Sequence, residues 1–355
     1  MKFRSMILSA AMVALASAAM AQAPAPAAGP ACADNKLIIG SGTATGAYAQ
    51  LMKPLAQRCS MICEDDKTTQ GGFDNVTKLI RNEFDGGIAQ IDTLQLLSRN
   101  YPSLKENVRS LFPLHGSSMH ILAMADGFPV TTSTVTKSWI PLAGNTTTES
   151  TSKVPITNLQ DLRGKPIAAW SSAATTMEIV NAKLNLGMQI VEVAQRGPGL
   201  AMLKAGKVAA FVGAGGFPLD WVEKANGKAG DGIAGLVLVD VDSRDIEKLE
   251  KPYYPVKVIY RSLGAIGINT IAVRNEMIVR DIQDGERAEA IAQFRACFVQ
   301  NIRAIKSSRG VHPAWADVSG SLETSWPAYQ AAAAPAVAPL LSHPVAVPDQ
   351  PRRIR

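Results

Sequence analysis

The chain has 355 residues, is 47% hydrophobic but only 6% aromatic, and carries a formal net charge of +6. That surplus sits at the two ends. Setting aside Lys2 and Arg4, and Arg352, Arg353 and Arg355 together with Asp349, leaves 31 basic against 29 acidic residues, a balance that excludes a general nucleic-acid-binding face on the body. Four scattered histidines and a Cys59/Cys63 spacing unlike a redox pair argue against a zinc cluster or a thioredoxin-type site.

Taken in chain order, Lys2 and Arg4 precede an apolar run over 6–20 and the small residues Ala19-Met20-Ala21. A basic start, a short apolar core and an A-x-A site predict a secretory signal peptide over 1–21, because a spanning helix needs roughly 20 apolar residues. Residues 22–33 and 331–355 are rich in Ala and Pro without periodicity and read as a disordered leader and tail. Between them, a strand over 36–42 stops at glycine and a helix follows over 47–58. A strand over 63–69, a helix over 73–82, a strand over 87–91, a helix over 93–98 and a strand over 119–125 come next. From 166 the same order returns: strand 166–170, small-residue loop 171–176, helix 177–186, strand 189–193, helix 199–205, strand 208–212, loop 213–216, helix 219–225 and strand 236–241. A strand over 266–273 and a long helix over 285–307 close the body.

Strands alternating with helices predict parallel α/β sheets, and two such units in tandem predict two lobes. The expected organisation is a first lobe over 34–126, an insertion or crossover over 127–157, a second lobe over 158–262 and a return to the first lobe over 263–330. Crossings near 127–157 and 255–265 would form a hinge and hence a closable cleft. The crossover segment is rich in Ser and Thr and reads as an exposed hairpin around Trp139 and Asn145.

Gly40-Ser41-Gly42-Thr43-Ala44-Thr45-Gly46 follows a strand and opens a helix, where free N–H groups and the helix dipole favour anions. The spacing is one residue too long for a dinucleotide fingerprint. Ser171, Ser172, Thr175 and Thr176 hold the corresponding place in the second unit. In α/β sheets ligands sit beyond the carboxyl ends of strands, so these two hydroxyl-rich turns are expected to face each other. Gln70-Gly71-Gly72, Gln90 with Asp92, and 213–216 occupy further strand ends. No G-x-S-x-G elbow or framed His/nucleophile pair is present, so the expected activity is binding without catalysis or cofactor.

An even cysteine count in an exported chain predicts disulfides, and four cysteines allow three pairings. Cys32 precedes the first strand and Cys63 starts the second. Cys59 ends the first helix, and Cys297 lies in the returning helix. Placement of these elements leads to the expectation of Cys32–Cys63 and Cys59–Cys297.

Five segments in order resemble the TAXI receptors of tripartite ATP-independent periplasmic (TRAP) transporters: LIIGSGTATGAYAQLMKPLA (37–56), TTQGGFDNVTKLIRNEFDGGIAQID (68–92), NLQDLRGKPIAA (158–169), LKAGKVAAFVGAGGFP (203–218) and IYRSLGAIGINTIAVRNEM (259–277). The resemblance implies a two-lobed α/β fold of the type II periplasmic-binding-protein class with a ligand cleft between lobes. It implies capture of a small anionic or zwitterionic solute, mostly carboxylates, and delivery to membrane transporter subunits. Carried over by position, the contact candidates are Thr43, Thr45, Gly46, Tyr48, Gln70, Gln90, Ser171, Ser172, Thr175, Thr176 and Gly215. Arg261, in the expected hinge, adds a possible bidentate contact. The chain departs from the family at Ala169-Trp170-Ser171-Ser172-Ala173-Ala174-Thr175, where glycines are replaced and Trp170 enters. Service to a sensor or an ABC importer, and a secreted enzyme on the same fold, are the competing readings.

Overall fold

A computed structural model describes residues 36–44, 46–63, 67–136, 146–225 and 233–331. The described residues all belong to one compact unit. Its first half runs β1 (Ile39–Gly42), α1 (Ala47–Ala56), β2 (Lys67–Thr68), α2 (Gly72–Ile80), β3 (Gly86–Gln90), α3 (Ile91–Asn100), α4 (Leu104–Asn107) and β4 (Val108–Met124). A hairpin of β5 (Phe128–Thr136) and β6 (Thr146–Val154) follows. Then come β7 (Pro166–Trp170), α5 (Ser172–Lys183), β8 (Gln189–Val193), α6 (Arg196–Lys204), β9 (Ala210–Gly215), α7 (Asp220–Ala225), β10 (Leu236–Leu238) and α8 (Ser243–Leu249). The chain closes with β11 (Tyr253–Tyr260), β12 (Ala265–Arg280) and α9 (Gly285–Ser307).

Ten strands form one continuous sheet in the order β2-β1-β3-β12-β4-β9-β7-β8, with β10 beside β4 and β11 beside β12. This order contains the same motif twice. On one side β2-β1-β3 are parallel and β12, from the far end of the chain, lies antiparallel beside β3. On the other, β8-β7-β9 are parallel and β4 lies antiparallel beside β9, followed by β10. Each lobe therefore borrows one antiparallel strand from the other half of the chain, which is the type II periplasmic-binding-protein arrangement. The sheet is mixed, not the pair of purely parallel sheets expected from alternation alone.

The two borrowed strands are also the crossings. β4 has 17 residues and β12 has 16. Along β4, residues up to Ser118 pair with β12, and residues from Ser118 onward pair with β9 and β10. Along β12, Asn275–Val279 pair with β3 while Tyr253–Val258 of β11 pair with Val273–Ile268. The crossings thus lie at the middle of β4 and β12, not at 127–157 or 255–265. Phe128 and Val154 at the base of the hairpin pack on the second lobe's core, so 127–157 is an outgrowth of that lobe and not a crossover. Trp139 and Asn145, at its expected tip, lie outside the described residues. Residues 255–260 belong to β11, an edge strand.

Local sequence explains the helices around the cleft. Tyr48, Leu51, Met52 and Leu55 repeat at helical spacing and form the buried face of α1. Ala290, Ile291, Phe294, Cys297, Phe298, Ile302 and Ile305 do the same along α9. Phe112 of β4 stacks on Phe298 with ring centroids 3.7 Å apart and meets Phe294 edge-on at 5.4 Å, fixing the returning helix to the hinge strand. Every residue of β3 is buried, as expected for an inner strand covered on both faces.

Candidate functional site

Three strand-to-helix turns meet over the centre of the sheet. Gly46 caps α1, Gly71 caps α2 and Ser171 caps α5, and none of the three supplies a side-chain cap to its helix. A helix begins with N–H groups that have no intrahelical acceptor, and an uncapped start leaves them available to a ligand. Gly71 has φ +112°, and a Cβ added there would lie 2.8 Å from the Ser171 hydroxyl, so glycine both permits the turn and admits the opposite lobe. Ser171, with φ +58°, donates from Oγ to the Gln70 carbonyl at 2.7 Å and bridges the lobes.

Between these turns lies a cavity of about 60 Å³, lined by Gly42, Thr43, Gly46, Ala47, Tyr48, Gln70, Gly71, Ser117, Trp170, Ser171, Ser172, Ala214 and Gly215. None of these side chains is charged. At roughly 10–15 Å³ per water, the space holds a handful of water-sized groups.

A polar network from the hinge strands supports the floor. The Tyr48 hydroxyl donates to Asn275 Oδ1 at 2.5 Å, and Asn275 Nδ2 donates to the His115 carbonyl at 3.0 Å. His115 Nε2 lies 3.3 Å from the same amide nitrogen. Burial pushes the His115 imidazole down to about 3, so it is neutral at physiological pH, and burial raises the Tyr48 phenol. Tyr48→Phe is expected to leave Asn275 Oδ1 buried without its donor and to cost about 1–3 kcal/mol in chemical denaturation. An unchanged midpoint would remove Tyr48 from the supporting network.

A second bridge joins the lobes behind the cavity. Asp92, in the first turn of α3, is buried; its Oδ2 accepts from Thr176 Oγ1 at 2.6 Å and from the Tyr253 hydroxyl at 3.2 Å. Its Oδ1 accepts from the Thr93 N–H at 2.7 Å. Burial raises the Asp92 carboxyl above its ordinary range despite these donors.

The expected site residues divide accordingly. Thr43, Gly46, Tyr48, Gln70, Ser171, Ser172 and Gly215 line the cavity. Thr45 lies outside the described residues. Residues 171–176 are not a loop: α5 begins at Ser172, because five small residues after a single left-handed serine continue directly into helix. That turns Thr176 inward to Asp92 and leaves Thr175 off the lining. Gly213, Ala214 and Gly215 likewise belong to β9, not to a loop. Gln90 is fully buried at the end of β3, with neither amide atom partnered and no place in the lining. Arg261 is exposed in a short 3₁₀ turn packed near α7 and is not brought to the cleft. Ser117, Asn275 and Tyr253 carry no motif of their own and escaped the sequence reading.

Cys59 and Cys297 form the expected disulfide. Cys63 is also disulfide-bonded, while its expected partner, Cys32, lies outside the described residues. No helix among the described residues is long and apolar enough to cross a membrane, and no group of three His, Cys, Asp or Glu there could hold a metal.

No protein family's sequence profile matches the chain, and no curated protein matches it. Several solved structures are similar to it. One is the arginine-, lysine-, histidine-binding protein ArtJ from Geobacillus stearothermophilus, at 14% identity and TM-score 0.45, over 78% of this chain and 96% of that one. Another is an arginine transport-system periplasmic binding protein from Legionella pneumophila, at 14% identity and TM-score 0.42, over 75% and 93%. A third is the substrate-binding protein of an amino acid ABC transporter, at 14% identity and TM-score 0.42, over 76% and 93%.

Proposed function

We propose that this chain is an exported, extracytoplasmic receptor that closes its two lobes on a small anion and delivers it to a membrane transporter, without catalysing a reaction. The observation that carries the reading is the convergence of three uncapped helix N-termini on one small cavity with no charged lining. Each helix start presents about half a positive charge and free N–H donors, so an anion is the species that gains there, and a cation is not. Serine and threonine hydroxyls at Thr43, Ser117 and Ser172 complete the coordination. The dimensions favour a ligand of only a few heavy atoms, such as a short carboxylate. The TAXI resemblance favours a carboxylate and a TRAP-type membrane partner, and the signal-peptide pattern over 1–21 supports a periplasmic location.

The energy is adequate. A helix terminus contributes about 0.3–1 kcal/mol when exposed and about 2 when partly buried, and a charge-assisted hydrogen bond about 1.5–3. Three termini and a few such bonds, less the ordering and desolvation costs, reach the ~8 kcal/mol of a micromolar complex.

Trp170 lines the cavity, so its fluorescence reports occupancy. Titration with acetate, pyruvate, malonate, sulfate and phosphate is expected to reveal at least one ligand bound one-to-one. Thr43→Ala combined with Ser172→Ala is expected to weaken that ligand by about 10–100-fold, the loss of one or two charge-assisted hydrogen bonds. Equal affinity in parent and double variant would show that these turns do not hold the ligand.

A further inference from the structure

Strand alternation places a second concavity on the reverse of the hinge. Ser117 and Asn275 face the cleft, so Gly116 and Ser118 on β4, and Ala272 and Arg274 on β12, face the opposite way. There the strands line a cavity of about 380 Å³ with Tyr254 of β11 and with Asp317 and Ser319 from the segment after α9. The cavity draws on both lobes as well as on the hinge, because β11 extends the second lobe and Asp317 ends a 3₁₀ turn packed on the first.

Three features mark this concavity. The Tyr254 hydroxyl is seated where Gly116 lacks a side chain: a Cβ there would lie 2.0 Å from the Tyr254 oxygen. Arg274 is exposed and forms no ion pair with an acid among the described residues, and Asp317 is in the same condition. Both charges nevertheless act on the Tyr254 phenol, whose pKa is raised first by burial, with Arg274 opposing and Asp317 adding to the shift. In the larger groove near α8, by contrast, Arg244 is paired with Asp242 and Lys248 with Asp245.

We infer that the reverse of the hinge is a second binding site, for a small zwitterion that presents its carboxylate to Arg274 and its ammonium to Asp317, with the Tyr254 hydroxyl between them. A planar guanidinium matches a carboxylate with two parallel hydrogen bonds, and a lone carboxylate matches an ammonium. A molecule carrying both charges satisfies both walls at once. A simple anion meets Asp317 as a repulsive neighbour, and a simple cation meets Arg274 as one. Because the walls come from both lobes, an occupant bears on the angle between them and so on the cleft in front.

The test is amide NMR on the full chain, titrated with each of the twenty free L-amino acids and, as single-charge controls, with acetate and methylammonium. At least one amino acid is expected to shift the Tyr254, Asp317 and Ser319 amides saturably, and Arg274→Ala and Asp317→Ala are each expected to weaken that response at least ten-fold. The single-charge controls are expected to leave these amides in place. Absence of a saturable shift with all twenty, a shift that survives both substitutions, or an equal response to acetate would overturn the inference. Occupancy of the front cleft is read separately, at the Thr43 and Ser172 amides, so failure of one site is distinguishable from failure of the other.

Discussion

Replacing Cys59 and Cys297 with serine is expected to lower stability by about 2–5 kcal/mol and the melting temperature by roughly 4–10 °C. The bond links the end of α1 to the middle of α9 across 238 residues of sequence. The whole second lobe lies inside that loop, so the cross-link restricts the unfolded chain over most of its length. Long loops lose the most entropy on closure, which puts the expectation at the upper end of the usual range. Both cysteines are buried in the first lobe's core beside Leu51, Leu55 and Phe298, so serine also places hydroxyls among apolar side chains. Denaturant titration of the two single variants and the double variant checks this. The three are expected to be nearly equal, since either single change already breaks the bond. A double variant as stable as the parent would show that the core alone sets the stability of this lobe.

The second large effect is expected at Asp92. Asp92→Ala removes the acceptor for the Thr176 and Tyr253 hydroxyls, both buried and both from the opposite lobe. Leaving two such donors unsatisfied costs about 2–4 kcal/mol, and the loss falls on the contact between lobes. Asp92→Asn retains an acceptor without the charge and separates hydrogen bonding from ionisation. The carboxyl's pKa is raised by burial, so the assembled state binds its proton more tightly than the unfolded chain does. The stability that Asp92 contributes is therefore greatest below the ordinary carboxylate range and is lost as pH rises through its raised value. His115 and His120 act in the opposite direction. They are buried neutral, with pKa values pushed down to about 3 and about 4, and cost stability as pH falls below the ordinary histidine value of 6.5. The raw pH profile sums these opposing slopes, whereas the difference between parent and Asp92→Asn isolates the carboxylate. That difference is expected to move in favour of the parent as pH falls from 8 to 4. A flat difference would mean that the folded chain does not raise the Asp92 pKa above its value in the unfolded chain.

Where apolar periodicity met no competing signal, the sequence was sufficient. The strand over 166–170 and the helix over 285–307 appear with those boundaries, and α1, α2, β3 and β8 fall within a few residues of their expected positions. Each is a run whose burial pattern is local: a short apolar strand closed by glycine or a small residue, or a stripe at helical spacing. The glycine turn at 40–46 was legible for the same reason, since the glycines mark where the apolar strand ends and the helix begins. The Cys59–Cys297 pairing was legible once the elements carrying the two cysteines were placed.

What the sequence did not determine is how the lobes are joined, and that is where the site is built. His115-Gly116-Ser117-Ser118 interrupts the apolar pattern of β4, and Arg274-Asn275-Glu276 interrupts that of β12. Read locally, these polar runs end a strand. In the folded chain they continue it, because their backbone groups pair across the sheet while Asn275 meets Tyr48 and the Glu276 carboxylate accepts the Ser325 N–H at 2.6 Å. Contacts between residues far apart in sequence, from 49 positions for Glu276 with Ser325 to 227 for Tyr48 with Asn275, make those polar side chains tolerable inside a sheet. Asp92 is similar. In sequence it is one acid at a strand end; its role as a bridge depends on Thr176 and Tyr253 arriving from the other lobe. Composition, periodicity and glycine spacing thus decided the elements and the strand-to-helix turns that line the cavity. Tertiary structure decided the hinge, the interlobe bridges and the closure of the cavity, because each rests on hydrogen-bond partners that no local window contains.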